Sequence, residues 1–263
     1  MLGVLSALLL LPEPASATPP PSSPTSESSV FAVTWGRARL ARIDLKLGCP
    51  SRGIRPAALL ATSEGFTEQI RPFRVRFDTF LDSSSRRSRQ GRTSITEKGR
   101  TRAYRTSFRE RDSSAIVHAT IFGQTREPKT IAFASSPDDM LSWMLRARQE
   151  LAFARDTTAH FLVWDGWKSF WLRMTVERIE RIATPSGSYK AWRVRLERAI
   201  VRASERATTT PTSRDFPFER IAIAWFARAE GHPLLGMNYD APIGTTRIRL
   251  SSYTRRACSK TPP

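Results

Sequence analysis

Apolar and polar residues alternate with a period of two through most of the chain from position 31 onward. In one such segment Phe73, Val75 and Phe77 fall on one face, and Arg74 and Arg76 fall on the other. This period places successive side chains on opposite faces of a strand, and strands with one buried and one wet face are typical of antiparallel sheets. The sequence therefore predicts a mainly all-β fold: a curved antiparallel meander that forms a half-barrel or open barrel.

Turn signals separate the alternating segments. Asp165 and Gly166 lie between HFLVW and WKSFWLRMTV, and residues 184–187 (TPSG) lie between two further strand-like segments. Such short Asp, Gly and Pro clusters between alternating runs are typical of β-hairpins. Sequential strands are therefore expected to be neighbours in one sheet, and no second domain is indicated.

Two segments depart from the alternation. Residues 135–139 (SSPDD) run into MLSWMLRARQELAF, in which Met140, Leu141, Met144 and Leu145 recur at helical spacing. Serine, proline and acids in this order mark a helix start, so we expect one amphipathic helix that covers the inside of the curved sheet. Residues 83–92 (SSSRRSRQGR) contain no apolar side chain to bury, and their four arginines repel one another. This predicts an exposed, mobile loop.

The N-terminus carries the features of an export signal. The apolar run MLGVLSALLLL is followed by an A-x-A pattern, which predicts a signal peptide over residues 1–17, cleavage near Ala17 and a periplasmic or secreted protein. A buried N-terminal helix is the alternative. Residues 18–29 are expected to form a Pro/Ser-rich linker, 30–256 a single β-rich domain and 257–263 a C-terminal tail. No apolar run reaches the ~18 residues of a transmembrane helix, so none is expected in the mature chain.

The chain has two cysteines, Cys49 and Cys258, and both belong to the mature region. In an oxidising periplasm such a pair is a candidate disulfide, whereas two unpaired thiols on the ends of the domain are the alternative.

Six short segments follow one another before Tyr253, which closes the last strand: DDMLS (138–142), WDGW (164–167), TPSGSYK (184–190), IAWF (223–226), HPLL (232–235) and APIG (241–244). Their order is similar to that of exported bacterial proteins of domain-of-unknown-function family 3108. This resemblance implies a periplasmic β-rich domain and transfers no catalytic residues.

Recognised catalytic and metal-binding motifs are missing from the sequence. It contains no G-x-S-x-G, G-x-G-x-x-G, P-loop or H-E-x-x-H pattern, and its three histidines lie far apart. Asp138 and Asp139 are interpreted as charges at a helix start, because adjacent helical residues do not share a face. We therefore expect no catalytic residues, no metal site and no cofactor.

Basic charge is the most pronounced feature of the composition. Lys and Arg number 42 against 24 acids, and only six of the 42 are Lys. Arginine binds phosphate and carboxylate in a bidentate manner, which favours an anionic envelope component (a lipid, lipopolysaccharide or a glycan) as partner. A biased base composition is the alternative, and export disfavours nucleic acid. The candidate ligand-binding arginines on polar strand faces are Arg74, Arg76, Arg193, Arg195, Arg247 and Arg249.

Trp164 and Trp167 flank the tight turn at Asp165 and Gly166. At least one of these rings is expected at the rim, where it could stack on a sugar or lie at a lipid headgroup. The resulting hypothesis is a non-catalytic binding or assembly factor of the bacterial cell envelope that engages an anionic amphipathic ligand. A structural domain that binds a protein partner, and an envelope hydrolase whose site is not visible in sequence, remain the alternatives.

Overall fold

The computed structural model describes residues 24–201, 217–241 and 244–259. It has two short helices, α1 (Phe66–Ile70) and α2 (Ser142–Glu150). Its strands are β1 (Thr25–Trp35), β2 (Ala38–Leu47), β3 (Ile54–Ser63), β4 (Phe73–Asp82), β5 (Ser88–Glu97), β6 (Arg100–Arg109), β7 (Ser114–Ile121), β8 (Gln124–Thr125), β9 (Lys129–Ala132), β10 (Asp138–Asp139), β11 (Thr158–Trp164), β12 (Ser169–Thr184), β13 (Gly187–Ile200), β14 (Glu219–Ala227), β15 (Leu234–Ala241) and β16 (Gly244–Ala257).

All sixteen strands belong to one curved sheet built from two meanders. Strands β1 to β8 follow one another in order, as do β11 to β16, and antiparallel pairing of β1 with β16 joins the two meanders. Among the strands of the described residues, only the short β10 pairs in parallel, with β11, and β9 pairs with β7. The predicted curved, mainly antiparallel sheet is confirmed. Because the first and last strands pair in its middle, both free edges come from the centre of the sequence.

Both predicted hairpins are confirmed. Strands β11 and β12 pair up to Trp164 and Ser169, and β12 and β13 pair up to Thr184 and Gly187. The tip half of the long β12–β13 hairpin packs against β1, β14, β15 and β16 in a cluster of its own. The local turn chemistry therefore sets strand order correctly in this half of the sheet.

The predicted helix exists but starts later than the sequence indicated. Asp138 and Asp139 form β10 rather than a first helical turn, and α2 begins at Ser142. The reason is tertiary, because the Asp139 carboxylate accepts hydrogen bonds of 2.6 Å from both Thr79 on β4 and Ser88 on β5. Asp139 also accepts the backbone N–H of Ser142 at 2.8 Å, so it satisfies a helix-start donor from outside the helix.

Helix α2 lies inside the curve, as predicted, and it contacts both meanders. Leu145 packs in one cluster with Leu81 of β4, and Met144 packs in another with Phe161 of β11. Burial of each large apolar side chain stabilises the fold by about 1.5–3 kcal/mol, so α2 holds the two meanders together. The clusters that contain its buried side chains include no residue of β6, β7 or β9, so within the described part of the chain these strands have no helical cover.

Three further expectations need correction or fall outside the described residues. The linker expected to extend to Ser29 is shorter, because Thr25–Trp35 already forms β1 between β16 and β2. The second half of the expected loop over 83–92 is a strand instead, because β5 begins at Ser88 and pairs with β4 and β6. Helix α1 was not expected.

The predicted signal peptide, residues 1–17, lies outside the described residues. Within the described residues, no helix has the length and apolarity to cross a membrane.

The predicted disulfide between Cys49 and Cys258 is confirmed, with 5.7 Å between the two Cα atoms. It connects the loop after β2 to the end of β16. The N–H of Cys258 also donates to the carbonyl of Pro24 at 2.8 Å, so both ends of the described chain are fixed at one place.

Candidate ligand-binding cavity

A cavity of about 850 Å³ lies between strands β6, β7 and β9 and the turn that joins β11 to β12. Alternation along β6 and β7 turns Tyr104, Val117 and Ala119 toward it, and Ile131 of β9 adds a further apolar wall. Its volume is within the roughly 300–1,000 Å³ typical of small-molecule sites. The part of the concave surface that α2 leaves uncovered is therefore a mainly apolar pocket.

The β11–β12 turn gives its two tryptophans different environments. The Asp165 carboxylate accepts the backbone N–H groups of Trp167 at 2.7 Å and Lys168 at 2.6 Å, and Gly166 supplies the φ of 100° that the turn requires. Trp164 is 5% exposed and Trp167 is 61% exposed. The prediction that one of them lies at the rim is confirmed for Trp167.

Ring contacts fix the wall of the cavity. Trp164 meets Phe133 edge to face at 5.5 Å between ring centroids, and its Nε1 donates to the Thr106 hydroxyl at 3.4 Å. Trp167 meets Tyr104 edge to face at 6.2 Å. Trp164 is thus a buried wall with a satisfied N–H, whereas Trp167 keeps most of its surface available to a bound molecule.

The rim of the cavity carries charge. Arg126, Glu127 and Lys129 all line it and are exposed, and among the described residues none of them forms an ion pair. The rim therefore has a net charge of +1 beside an apolar interior. This arrangement suits a molecule with an apolar body and an anionic end.

Two of the predicted arginines, Arg193 and Arg195 on β13, are neutralised by neighbouring acids. Arg193 pairs with Glu177 at 2.8 Å, and Arg195 pairs with Glu177 at 3.2 Å and with Glu197 at 3.0 Å. These guanidinium groups hold adjacent strands together and carry little uncompensated charge.

Arg247 and Arg249 of β16 line a separate, open depression of about 550 Å³. Arg249 lies over the Trp225 ring at 5.0 Å and donates to the Asn238 side chain at 2.8 Å. Burial lowers the pKa of Arg249 from its ordinary value of 12.5, and Arg247 adds to the effect. The Trp225 Nε1 donates at 2.7 Å to Glu180, which also pairs with Arg193 and so connects the β13 and β16 arginines.

Arg74 and Arg76 lie apart from that group, on β4. Arg76 pairs with Asp78 two residues along the same strand, at 2.6 Å. The six predicted arginines thus form two groups, and none of them lines the 850 Å³ cavity, where only Trp164 and Trp167 of the predicted residues meet.

Sequence reasoning missed the other side chains of this cavity. Tyr104, Val117 and Ala119 belong to alternating segments, which indicated an inward face but not what would cover it. Arg126 and Lys129 lie in a stretch with no pattern of its own. Only the sheet's curvature brings them opposite the β11–β12 turn.

Carboxylates and histidines are few at the cavity. Among the described residues, its lining has one carboxylate, that of Glu127, and no histidine. Within residues 24–201, 217–241 and 244–259, no group of three or more His, Cys, Asp or Glu side chains could hold a metal ion. The chemistry that these walls offer is apolar contact, aromatic stacking and attraction of an anion.

The fold is similar to that of a β-barrel-like protein of domain of unknown function 1849 from Brucella abortus. Its crystal structure superposes with a TM-score of 0.57 at 10% identity and covers 90% of this chain and 99% of that one. A protein from Parabacteroides distasonis (TM-score 0.33, 8% identity, 89% and 96% covered) and one with a YmcC-like fold from Bacteroides fragilis (0.29, 9%, 88% and 95%) score too low to bear on the fold.

No curated protein sequence matches this chain. The family described as "Protein of unknown function (DUF3108)" matches it over residues 30–251, which span the sheet from β1 into β16 and include both tryptophans of the cavity. The chain therefore belongs to the DUF3108 family.

Proposed function

We propose that this protein is an exported, non-catalytic binding protein of the bacterial cell envelope. It holds the apolar part of an anionic amphipathic molecule in the 850 Å³ cavity and the anionic end at the Arg126 and Lys129 rim. The observation that carries the proposal is a mainly apolar, partly uncovered cavity beneath an exposed tryptophan, Trp167.

The apolar walls supply the main free energy of binding in this proposal. Apolar area removed from water contributes roughly 25 cal/mol per Å², so a hydrocarbon chain against Val117, Ile131 and Trp164 gains affinity without a specific hydrogen bond. The edge-to-face contact of Trp164 with Phe133 exists without a ligand, so the ligand does not have to order this wall, and the entropic cost of binding is low.

The rim supplies selectivity for charge. Arg126 and Lys129 are exposed, so their attraction for an anion depends on ionic strength, over a Debye length of about 10 Å at 0.1 M salt. A headgroup such as a phosphate would gain charge-assisted hydrogen bonds from Arg126. A neutral amphiphile would receive only the apolar contribution.

The Cys49–Cys258 disulfide supports the exported part of the proposal, because disulfides form and persist in oxidising compartments. The A-x-A pattern at residues 15–17 points the same way.

The test is isothermal titration of the protein with dodecyl phosphate below its micellar concentration. Ala119→Trp fills the cavity from β7. Ala103→Trp is the matched control, because it introduces the same ring on the neighbouring strand β6. Ala103 alternates with the inward Tyr104 and therefore lies on the opposite face of the sheet. We expect Ala119→Trp to weaken binding at least about tenfold, the equivalent of 1.4 kcal/mol, and Ala103→Trp to leave it unchanged.

Charge selectivity is tested on the same instrument. The double variant Arg126→Gln, Lys129→Gln should bind dodecyl phosphate more weakly than wild type. Its affinity for dodecyl maltoside, a neutral amphiphile, should be unchanged. Wild-type protein that binds neither amphiphile, or an Ala119→Trp variant that binds as tightly as wild type, would refute the proposal.

A further inference from the structure

A second, smaller cavity of about 170 Å³ lies where the ends of several elements meet. Four arginines line it: Arg55 from β3, Arg86 from the β4–β5 turn, Arg148 from α2 and Arg255 from β16. They come from positions spread across 200 residues, so no local sequence pattern could have revealed the cluster.

The carboxylates at this cavity compensate only half of its positive charge. Glu27 accepts two hydrogen bonds from Arg148 Nη2, at 2.8 and 3.0 Å, and Glu230 accepts one from Arg255 at 2.8 Å. With four guanidinium groups and two carboxylates among its lining residues, the cavity has a net charge of +2.

Arg55 and Arg86 carry that surplus. Arg55 is 6% exposed, and within the described residues its side chain donates only to backbone carbonyls, those of Gly48 at 3.1 Å and of Thr25. Among the described residues, the partly buried Arg86 guanidinium has neither a hydrogen bond nor an ion pair. Burial lowers the pKa of both side chains, that of Arg55 to about 10. Other arginines of the cluster lower the pKa of each side chain further, and Glu27 opposes the effect on both.

Arg55 and Arg86 are buried and partly buried cations that form no ion pair within the described part of the chain. They share the influence of one carboxylate, Glu27, with Arg148, so they raise the free energy of the folded state. Desolvation of an ion is costly unless an opposite charge and hydrogen bonds compensate for it. The lining side chains of this cavity provide no further carboxylate, so an anion from solution would complete the site.

We propose that this cavity binds a phosphoryl dianion, either as inorganic phosphate or as the phosphomonoester end of a larger molecule. Two uncompensated guanidinium charges match a doubly charged ligand. Guanidinium N–H groups pair with phosphate oxygens in bidentate geometry, and a small polar cavity accepts one such group while leaving an attached chain outside. The two cavities share no lining residue, so this site is independent of the apolar one.

The test is isothermal titration with inorganic phosphate at pH 8 and constant ionic strength. Arg86→Gln removes the guanidinium that makes no hydrogen bond, and Arg105→Gln removes the same charge from the exposed outer face of β6 as the matched control. We expect Arg86→Gln to lower the affinity for phosphate at least about tenfold and Arg105→Gln to change that affinity less than about twofold. Glu230→Gln should instead raise the affinity for phosphate, because it removes a competing carboxylate.

A thermal melt of each variant controls for folding. Should Arg86→Gln melt well below wild type, Arg255→Gln takes its place, because the Arg255 side chain is 26% exposed and lies at the end of the last strand.

Vesicles distinguish the two sources of the ligand. Flotation with phosphatidic acid in phosphatidylcholine, compared with phosphatidylcholine alone, tests a phosphomonoester on a lipid, and binding that Arg86→Gln abolishes assigns the site to such a headgroup. Binding of inorganic phosphate without flotation assigns it to the free ion. No binding of either, or an equal loss in Arg105→Gln, overturns the proposal. Loss of dodecyl phosphate affinity in Ala119→Trp with unchanged phosphate affinity shows that the two sites are separate.

Discussion

Thr79 on β4 donates a hydrogen bond of 2.6 Å to the carboxylate of Asp139 on β10, sixty residues later in the chain. Ser88 on β5 donates to the same oxygen, also at 2.6 Å. One buried carboxylate thus connects the free edge at β10 to the inner side of β4 and β5. This contact closes the curved sheet and leaves β6, β7 and β9 to extend past the closure as the wall of the apolar cavity.

Removal of this carboxylate should destabilise the closure strongly. We expect Asp139→Ala to lower the free energy of unfolding by about 3–5 kcal/mol, because two hydroxyl groups and backbone N–H donors lose a charged acceptor. Urea unfolding measures this free energy. Asp112→Ala, in an exposed turn, is the control and should lower the free energy of unfolding by less than about 1 kcal/mol. Equal effects of the two substitutions would contradict this role.

Asp138 predicts a pH dependence of stability. Burial raises its pKa from 3.8 to about 6, against the opposing effects of Arg146, which lies at 2.5 Å, and of Arg87. The folded state therefore holds the proton more tightly than the unfolded state. The stabilisation is complete below about pH 4 and is lost as the pH rises to about 6.

The comparison of wild type with Asp138→Asn isolates this group. Between pH 4 and 6 the free energy of unfolding of wild type should fall relative to the variant by about 1–3 kcal/mol and then stay level. Urea unfolding at a series of pH values measures the difference. A relative rise of wild-type stability over this interval would show that the folded-state pKa is lowered instead.

The disulfide closes a loop of 209 residues between Cys49 and Cys258. On the loop-entropy model, removal of this constraint costs about 5 kcal/mol of unfolding free energy. Unfolding curves of wild type with and without reductant test this, and the double variant Cys49→Ser, Cys258→Ser should not respond to reductant. A reduced wild type that is as stable as the oxidised protein would count against the bond as a stabilising element.

Trp164 and Trp167 should separate stability from binding. Trp164→Ala removes a buried ring and should cost about 3–5 kcal/mol of stability. Trp167→Ala removes an exposed ring and should lower the free energy of unfolding by less than about 1 kcal/mol. It should also lower the affinity for dodecyl phosphate. A large loss of stability with unchanged binding in Trp167→Ala would make that ring a structural one.

Strand order and curvature could be predicted because their causes are local. Alternation along β4 and the turn chemistry at Asp165 and Gly166 act within a few residues, and both were interpreted correctly. The same local reasoning failed at Asp138 and Asp139. A serine, a proline and two acids are typical of a helix start, and the partners that make them a strand instead, Thr79 and Ser88, lie 60 and 51 residues away from Asp139.

The sites were less predictable than the fold for the same reason. Trp167 was recognised because its own turn exposes it. Arg126 and Lys129 acquire their position only from the curvature of the whole sheet, and Arg86 only from the meeting of β1, β3, α2 and β16. The charge excess of the composition indicated an anion-binding surface, yet Arg193 and Arg195 are paired with acids and the surplus lies elsewhere.

Native mass spectrometry of the folded protein with dodecyl phosphate tests the central claim most directly. We expect one adduct more per chain in wild type and in Ala103→Trp than in Ala119→Trp, in which only the arginine-lined cavity can still take the phosphate end. An absent adduct in wild type, or equal numbers of adducts in wild type and Ala119→Trp, would contradict the proposed function.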